Sequence, residues 1–415
     1  MLKEFHYVCS LCWVKFPFDS LLPKCACGGT LLVDYDLERA ACSLTREALA
    51  GRPFNMWRYH ELLPVRDLSR IVSLGEGGTP LIRLHALERQ LGRGPIWVKR
   101  EEQNPSGSFK ARGFSAAVTL LHERGVRKVT VPSNGNAASA LAAYAARAGM
   151  EASVFLPKDC PEAIVLECMH YGARTYLVDG YIHDAARIVE EGKSREGWTN
   201  IGTLREPGRP EGKKTMGLEI AEQLGWELPD VILYPTGGGS GIIGLWKAFK
   251  ELKEMNWVRG ELPRLVSVQE AGCEPIVQAF HRAGDASDFE SSGEASSNPT
   301  GMRVPKPPDT QLMVRILQET GGTAIAVGAA DIRASQQAMG RLGVSASPEG
   351  AASLAALTLL ADRGDIGQGE RVVLFNTCHA LKYPPFVAAE EAPTIRRYED
   401  LLALPARYAS QQAVL

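Results

Sequence analysis

The chain has 415 residues, of which 23% are charged, and a mean hydropathy of -0.11, a composition that fits a globular protein of two domains with an appendage. A formal net charge of -2 and the lack of a block of basic residues argue against a nucleic-acid partner. There is no apolar run of about 18 residues and no apolar signal region at the N-terminus, so we expect a cytoplasmic protein that does not contact membranes.

The first predicted element is a cysteine-rich ribbon-like segment over residues 1–45. The chain has nine cysteines, and this odd number indicates thiols or metal ligands rather than a disulfide framework. Thiolates suit tetrahedral zinc, but a Cys-x-Cys pair is tighter than the usual knuckle, so a zinc site and a metal-free ribbon are equally favoured. The candidate zinc ligands are Cys9, Cys12, Cys25 and Cys27. The cysteines expected to be ordinary core residues are Cys42, Cys160, Cys168 and Cys273.

Short β-branched runs then alternate with stretches of helical periodicity. The predicted strands are 96–99, 128–131, 152–155, 175–178, 231–234, 265–268 and 372–375, and the clearest predicted helices are 137–148 and 241–252. This alternation predicts an α/β fold with mostly parallel sheets and helices on both faces. Ligands in such folds bind in the loops beyond the carboxyl ends of the strands. A surface loop is predicted at 284–297 and a helical extension near the C-terminus.

The loop 104–113 (NPSGSFKARG) places Lys110 at the start of a predicted helix. A lysine in that position is in most proteins only a solvated charge. Here Phe109 and Ala111 supply apolar surface and Arg112 a like charge, and both influences lower the pKa of a lysine. The neutral amine that results is what Schiff-base chemistry requires, so Lys110 is the candidate catalytic residue.

The loop 234–241 (YPTGGGSG) lies between a predicted strand and a predicted helix. Its glycines leave backbone N–H groups free to surround an anion, and the helix dipole favours phosphate there. Gly239, Gly241 and Gly244 also fit a dinucleotide fingerprint, which expects an acidic residue about 20 positions on. Glu270, the acidic residue that fits best, lies further along the chain than this fingerprint expects. A NAD-dependent dehydrogenase is therefore the weaker alternative.

Three further loops carry polar groups that suit ligand binding. Residues 208–215 are one residue too short for a P-loop, and their cations suit a solvated basic turn and an anionic-substrate site equally well. The amides of 133–136 suit either a helix cap or hydrogen bonds to a planar cofactor. The hydroxyl of Thr377, which follows the last strong strand, is suited to bond a ring nitrogen, and His379 suits a pocket residue.

Together these loops resemble the threonine synthase family of pyridoxal-phosphate (PLP) enzymes, which have the tryptophan-synthase-β-like fold type II. The resemblance runs from about residue 58 to 384, and the N-terminal cysteine pattern resembles that of the longer microbial members. The motifs that carry it, in chain order, are 75–80, 104–113, 133–136, 211–215, 234–241, 347–350 and 376–377. The implied domains are a large PLP-binding domain of 46–112 and 200–395, a small mobile domain of 113–199 and a C-terminal extension of 396–415.

The resemblance implies a role for each matching residue. Lys110 would be the Schiff-base lysine and the acid/base that moves the protons of the substrate, and a neutral hydroxyl at Thr377 would favour replacement and elimination. The expected cofactor-binding residues are Phe109, Asn136 (ring hydroxyl), Gly237, Gly238, Gly239, Ser240 and Gly241 (phosphate), and Thr377 (pyridine nitrogen). The expected substrate-binding residues are Ser133, Asn134, Arg209 and Lys213.

The reaction that the resemblance implies is the conversion of O-phosphohomoserine and water to threonine and phosphate, by a homodimer. Departures from the family pattern fall at the site, chiefly Cys378-His379-Ala380 where Gly-Ser/Thr-Gly is usual. They keep open another PLP-dependent β/γ-elimination or replacement on the same scaffold, of the cysteate synthase, diaminopropionate ammonia-lyase or threonine dehydratase type. A non-catalytic binding protein that retained the fold is a further alternative.

Overall fold

A computed structural model describes residues 5–20, 22–282, 300–384 and 393–402 of the chain. All seven predicted strands and both clearest predicted helices are confirmed. The strands are β1 (Phe5–Cys9), β2 (Lys15–Pro17), β3 (Leu31–Tyr35), β4 (Leu81–Arg83), β5 (Ile96–Arg100), β6 (Lys128–Pro132), β7 (Glu151–Pro157), β8 (Arg174–Val178), β9 (Thr199–Asn200), β10 (Val231–Pro235), β11 (Arg264–Glu270), β12 (Thr323–Val327) and β13 (Val372–Asn376).

Helices follow most of the strands of the two larger sheets, and short 3-10 turns occupy Met56–Leu62, Leu68–Arg70, Glu101–Gln103 and Ala380–Lys382. The α-helices are α1 (Leu37–Ser43), α2 (Arg46–Ala50), α3 (His85–Leu91), α4 (Lys110–Glu123), α5 (Asn136–Ala148), α6 (Glu162–His170), α7 (Ile182–Glu196), α8 (Gly208–Gln223), α9 (Ser240–Glu254), α10 (Pro275–His281), α11 (Thr310–Glu319), α12 (Ala329–Arg341), α13 (Pro348–Asp362) and α14 (Tyr398–Leu402). Among the described residues, no helix is both long and apolar enough to span a membrane.

The strands form three sheets, of which the two larger are α/β layers. The six-stranded sheet has the order β12-β11-β10-β13-β5-β4 and is parallel except for β4, which pairs antiparallel with β5 at the edge. The four-stranded sheet, β8-β7-β6-β9, is parallel throughout. Its strands lie within the predicted small domain apart from Asn200, and the division into domains stays a prediction.

The central strands are continuous apolar runs because helices cover both of their faces. All five residues of β10 and of β13 are buried. On one face the sheet packs against α8 and α9, and on the other against α12 and α13. The four-stranded sheet is covered in the same way by α4 and α5 on one side and by α7 on the other.

The third sheet is a small antiparallel ribbon of order β2-β1-β3, which we call the ribbon and define as residues 5–35. It has its own apolar core, built around aromatic residues such as Phe5 and Phe18, and reaches Leu120 of α4. The ribbon is thus attached to the body of the protein at the C-terminal end of α4.

Two predictions on the course of the chain are wrong, and a third lies outside the described residues. Cys42 was expected in the core, but it is exposed on α1, because that short helix buries only Ala40; the other three cysteines of that group are buried. Residues 208–215 were expected as a loop and instead form the first turns of α8. The predicted loop 284–297 and most of the C-terminal extension, from residue 403 on, lie outside the described residues.

Candidate functional site

Loops that follow strands of both larger sheets converge on one cleft. It is a concave space between the two sheets, open to solvent on one side, as small-molecule sites usually are. The residues at its wall are 109–110, 132–137, 182, 203, 234–241, 301–302, 304, 349 and 377–378. Every cofactor-binding residue predicted from the sequence is among them, as are Lys110, Ser133 and Asn134.

Lys110 is the first residue of α4 and is half-buried at the wall of the cleft. Its Nζ lies 3.9 Å from the centroid of the Phe109 ring. The pKa of Lys110 is lowered to about 7, first by burial and then by the charge of Arg209, while Glu349 and Cys378 act in the opposite direction. A substantial fraction of the amine is therefore neutral near pH 7, as a nucleophilic lysine requires.

Arg112 does not supply the like charge that the sequence suggested. Its guanidinium points away from Lys110 into a fully buried ion network, where Nε donates to Glu101 Oε2 at 2.7 Å and Nη1 to Glu219 Oε1 at 2.6 Å. Lys99 Nζ completes the network with a 2.8 Å bond to Glu219 Oε2. The network fixes the first turn of α4 against α8, and so holds the position of Lys110.

The glycine loop, residues 237–239, passes so closely between its neighbours that side chains would not fit. A Cβ on Gly237 would lie 2.6 Å from the carbonyl oxygen of Gly301, and one on Gly238 would lie 2.7 Å from Thr203 Cγ2. Gly239 has φ +82° and precedes α9, whose N-terminus has no side-chain cap. The backbone N–H groups at the start of α9 are thus available to an anion in the cleft.

Two buried cations on α8 lie behind this loop. Lys213 Nζ donates to Ser240 Oγ at 2.5 Å, and burial, with the charges of Arg209 and Lys110, lowers the pKa of Lys213 well below its ordinary value. Arg209 lies over the Phe114 ring at 4.4 Å and donates from Nη1 to the Ile201 carbonyl at 2.9 Å. Neither side chain belongs to the cleft wall in the described part of the chain.

Arg209 and Lys213 lie in a region from which water is largely excluded. Burial lowers the pKa of Arg209 to about 10, and only the charge of Glu206 opposes that change. Its Nε is buried and has no hydrogen-bond partner among the described residues. Together with Lys110 and Lys213 this places three basic side chains near the cleft, and an anion bound there would favour their charged forms.

Gly212 explains why Arg209 and Lys213 lie on a helix and not in a loop. A Cβ on Gly212 would lie 2.0 Å from the carbonyl oxygen of Arg112, so this glycine lets α8 lie directly against α4. The helix pair carries Arg209 and Lys213 on the side that faces Phe109 and Phe114. The close contact between α4 and α8 thus stabilises a helix where the glycines and the proline of the sequence predicted a loop.

The loop 133–136 combines capping with contacts to the cleft. Ser133 Oγ accepts from the backbone N–H groups of Gly135 at 3.0 Å and Ala138 at 3.2 Å, so this hydroxyl caps α5. Asn134 Nδ2 donates to the carbonyl of Arg303 at 2.6 Å. Asn136 lines the cleft at the start of α5, and the hydrogen bonds of Ser133 fix the position of this first turn.

Asn136 belongs to a chain of buried hydrogen bonds that also includes residues missed by the sequence analysis. Its Nδ2 donates to Tyr383 OH at 2.9 Å, and its Oδ1 accepts from Cys378 Sγ at 3.4 Å. Tyr383 OH donates in turn to Glu349 Oε1 at 2.7 Å. Burial raises the pKa of the Cys378 thiol to about 12, so the thiol is a neutral donor.

Glu349 is the most informative of the missed residues. It lines the cleft and is 4% exposed; Oε1 accepts from Gly301 N at 2.8 Å, while Oε2 has no partner among the described residues. Glu349 lies in the motif 347–350, but a glutamate after a proline at the start of a helix is usually explained by its favourable interaction with the helix dipole. Only the fold shows that it points at the cleft and opposes the fall in the pKa of Lys110.

Thr377 follows β13 and lines the cleft opposite the glycine loop. Its carbonyl accepts from Phe109 N at 3.0 Å, which ties the loop of Lys110 to the last strand. His379 lies outside the cleft wall, where its Nδ1 accepts from Leu381 N at 3.2 Å. The contact between 109 and 377 therefore positions both segments around the same space.

The four cysteines of the ribbon lie together away from the cleft. Their Sγ atoms all lie within 4.8 Å of one another, and the closest pairs are 3.4 Å (Cys9 and Cys27) and 3.5 Å (Cys12 and Cys27) apart. Thiolates bound tetrahedrally at about 2.3 Å from zinc are about 3.8 Å apart, so the donor set fits that metal. The tight Cys-x-Cys pair is compatible with this arrangement.

Comparisons with known proteins agree with this geometry. The family model described as "Pyridoxal-phosphate dependent enzyme" matches residues 72–377. The chain is 37% identical to the threonine synthase of Methanocaldococcus jannaschii, over 93% of this chain and 95% of that protein. It is 35% identical to the threonine synthase of Methanosarcina acetivorans, over 94% and 96% of the two chains.

Solved structures are similar in fold. Maize serine racemase superposes with a TM-score of 0.62 at 22% identity, covering 73% of this chain and 88% of the racemase. Escherichia coli diaminopropionate ammonia lyase superposes with a TM-score of 0.63 at 17% identity, covering 75% and 88% of the two chains.

Proposed function

Because the chain belongs to the pyridoxal-phosphate-dependent enzymes of fold type II, and within them to the threonine synthase family, we propose that it converts O-phosphohomoserine and water to threonine and phosphate. The chain is a PLP-dependent lyase of the threonine synthase type. The family match covers the glycine loop, so the dehydrogenase alternative is wrong.

The observation that carries this assignment is the positive charge around the cleft. Beyond the effect of burial, the charge of Arg209 lowers the pKa values of Lys110 and Lys213, Lys110 also lowers that of Lys213, and the uncapped N-terminus of α9 adds a partial positive charge. The reaction brings two phosphate groups to one cleft, that of the cofactor and that of the substrate. Two dianionic groups match this arrangement better than a substrate without phosphate does.

The residues that would hold PLP fit its three polar regions. The backbone of Gly237 through Gly241, with Ser240 and Lys213 behind it, suits the phosphate; Asn136 suits the ring hydroxyl, since its amide has a second N–H beyond the one donated to Tyr383. Thr377 suits the ring nitrogen. Phe109 packs beside Lys110, which would hold the cofactor as a Schiff base. When bound, PLP withdraws electrons from the carbon next to the amine of the substrate.

The protein side chains would then bind the substrate and move its protons. Lys110 Nζ, with a pKa near 7, is suited to take the proton from the α-carbon and to return one during the reaction. The unpartnered Nε of Arg209 suits the phosphate of the substrate as it leaves from the γ-carbon. Ser133 and Asn134, at the wall of the cleft, complete the proposed substrate site.

Three further assignments belong to the proposal. Zinc is bound by Cys9, Cys12, Cys25 and Cys27, because four thiols at these separations match a tetrahedral site. The protein is a homodimer, as expected for the family, and it works in the cytoplasm. Metal analysis of the purified protein and light scattering test the first two of these assignments directly.

The decisive experiment is to follow phosphate and amino-acid products with O-phosphohomoserine, O-phosphoserine and diaminopropionate. We expect threonine and phosphate in equal amounts from the first compound and little turnover of the others. If O-phosphohomoserine gave no threonine while another compound turned over, a related PLP reaction would replace the proposal. Full loading with PLP but no turnover of any of the three would instead indicate a binding protein.

A further inference from the structure

We propose that the ribbon braces the glycine loop that would hold the phosphate of PLP, and that Asp309 is the positioning residue through which metal bound to the ribbon strengthens PLP binding. The inference rests on the zinc site and the PLP site of the proposed function. It adds a thermodynamic coupling between the two sites, across a contact that lies outside the sequence motifs.

Asp309 is held on one side by the two turns that carry the cysteines. Its Oδ2 accepts from Ser10 Oγ at 3.3 Å, from Thr30 N at 3.2 Å and from Thr30 Oγ1 at 2.6 Å. Ser10 directly follows Cys9, and Thr30 comes three residues after Cys27. The two turns are also joined to each other, by a 2.8 Å bond from Ser10 N to the carbonyl of Thr30.

On its other side Asp309 is part of the support of the glycine loop. Its Oδ1 accepts from Leu312 N at 3.0 Å and so caps α11. Pro308 Cδ lies 3.5 Å from where a Cβ of Gly238 would be, and the sulfur of Met313 lies 2.5 Å from that position on Gly239. The residues on both sides of Asp309 therefore pack directly behind the backbone that faces the cleft.

Two more bonds tie the same segment to the ribbon. Lys24 Nζ donates to the carbonyl of Pro308 at 2.8 Å, and Arg315 Nη1 donates to the carbonyl of Ser10 at 2.6 Å. Asp309, Ser10 and Thr30 are all buried, so the contact is not a solvent-exposed ion pair. The ribbon is consequently in contact with the backbone, the cap and the first turns of α11.

Metal should matter here because the ribbon is small. Its strands have only five, three and five residues, and a unit of fewer than about 40 residues usually needs a metal, disulfides or a partner for stability. Without metal the cysteine turns loosen, and the donors on Thr30 and Ser10 leave a buried carboxylate oxygen unsatisfied. Asp309 then shifts towards solvent, and the glycine loop loses the packing of Pro308 and Met313.

Thermodynamic linkage makes the coupling reciprocal, and couplings of this kind change affinity by about 5- to 150-fold. The test measures the Kd of PLP, by its absorbance and without substrate, in full-length protein stripped of PLP with and without zinc. We expect zinc removal to weaken PLP binding at least about tenfold. Zinc affinity, measured by competition with a chelating dye, should rise by the same factor when PLP is bound.

Two variants distinguish the loss of the Asp309 contact from a general destabilisation of the protein. Asp309→Asn keeps a carbonyl for the cap of α11 but sets an NH2 group against the N–H of Thr30, while Thr30→Val removes the 2.6 Å donor alone. Both should bind one zinc, bind PLP more weakly, and respond less than twofold to zinc removal. Tyr7→Phe is the matched control, because it removes a ribbon contact to Arg124, which follows the last residue of α4 and lies away from α11. It should behave like the wild type.

Each outcome decides the inference. Equal PLP affinity with and without zinc in folded wild-type protein overturns it, and so does an undiminished zinc response in Asp309→Asn and Thr30→Val. Absence of bound zinc removes its premise and overturns it together with the proposed metal site. Because PLP affinity is measured without substrate, a wrong assignment of the reaction would leave the coupling result intact.

Discussion

Arg112→Met tests whether the buried ion network fixes the helix that begins with Lys110. Arg112 is fully buried and bonds Glu101 and Glu219, and methionine fills a similar volume without charge. The substitution leaves two buried carboxylates short of a cation, of which only Glu219 keeps Lys99. Loss of one partner from a buried pair costs about 3–5 kcal/mol.

The pKa of Glu219 depends on the same network. Burial raises that pKa, but the charges of Arg112 and Lys99 outweigh burial and lower it from 4.5 to about 2. Since the folded-state pKa is depressed, its contribution to stability is complete above pH 4.5 and is lost as the pH falls towards 2.

The assay is urea denaturation of the PLP-free protein at pH 7, followed by circular dichroism. We expect Arg112→Met to lower the free energy of unfolding by about 3–4 kcal/mol with an unchanged m value. Arg187→Met, which breaks an exposed pair with Glu191, is the control and should cost less than about 0.5 kcal/mol. A loss below about 1 kcal/mol for Arg112→Met would refute the claim that the ion network stabilises the packing of α4 against α8.

The other predictions concern the cleft. Lys110→Ala should abolish both turnover and the visible absorption of bound PLP; persistence of that absorption would identify a different lysine. The rate of PLP uptake by stripped protein should rise with pH through about 7, as the amine of Lys110 becomes neutral. Glu349→Gln should move that midpoint down and Arg209→Met should move it up, and equal midpoints would refute the charges assigned to them. Gly238→Val should weaken PLP binding at least tenfold in folded protein, because its side chain would meet Thr203, and unchanged affinity would contradict the tight loop. Cys378→Ala should change PLP affinity less than threefold, because a thiol is a weak donor at 3.4 Å; a larger effect would give the thiol a greater role.

Seven strands could be predicted because each contains a short run of β-branched or other apolar residues next to turn residues, whereas β4, β9 and β12 of the larger sheets were not predicted. Buried parallel strands such as 231–235 are apolar on both faces, and that pattern survives without knowledge of the partners. The order of the strands could not be predicted in this way, since β13 lies between β5 and β10 in the sheet while it comes last in the sequence. Pairing over such separations depends on the whole fold.

The site was predictable where backbone conformation is tied to function, as in the glycine loop. The site was less predictable where the role of a residue depends on the direction in which its side chain points. Arg112 and Arg209 are both arginines near motifs, yet Arg112 turns into an ion network and Arg209 is the one that lowers the pKa of Lys110. Glu349 was missed for the same reason, because no local pattern tells whether a first-turn glutamate faces solvent or a cleft.

Helix α4 restricts how this protein can change in length. Its 14 residues begin at the cleft with Lys110 and carry Leu120 into the core of the ribbon near the other end. One inserted residue would rotate everything beyond it by about 100° and advance it by about 1.5 Å. An insertion after Arg112 would therefore withdraw Leu120 from the ribbon while leaving the amine in place. We expect homologous chains with a ribbon to keep the number of residues between these two positions constant, even where the sequence between them diverges.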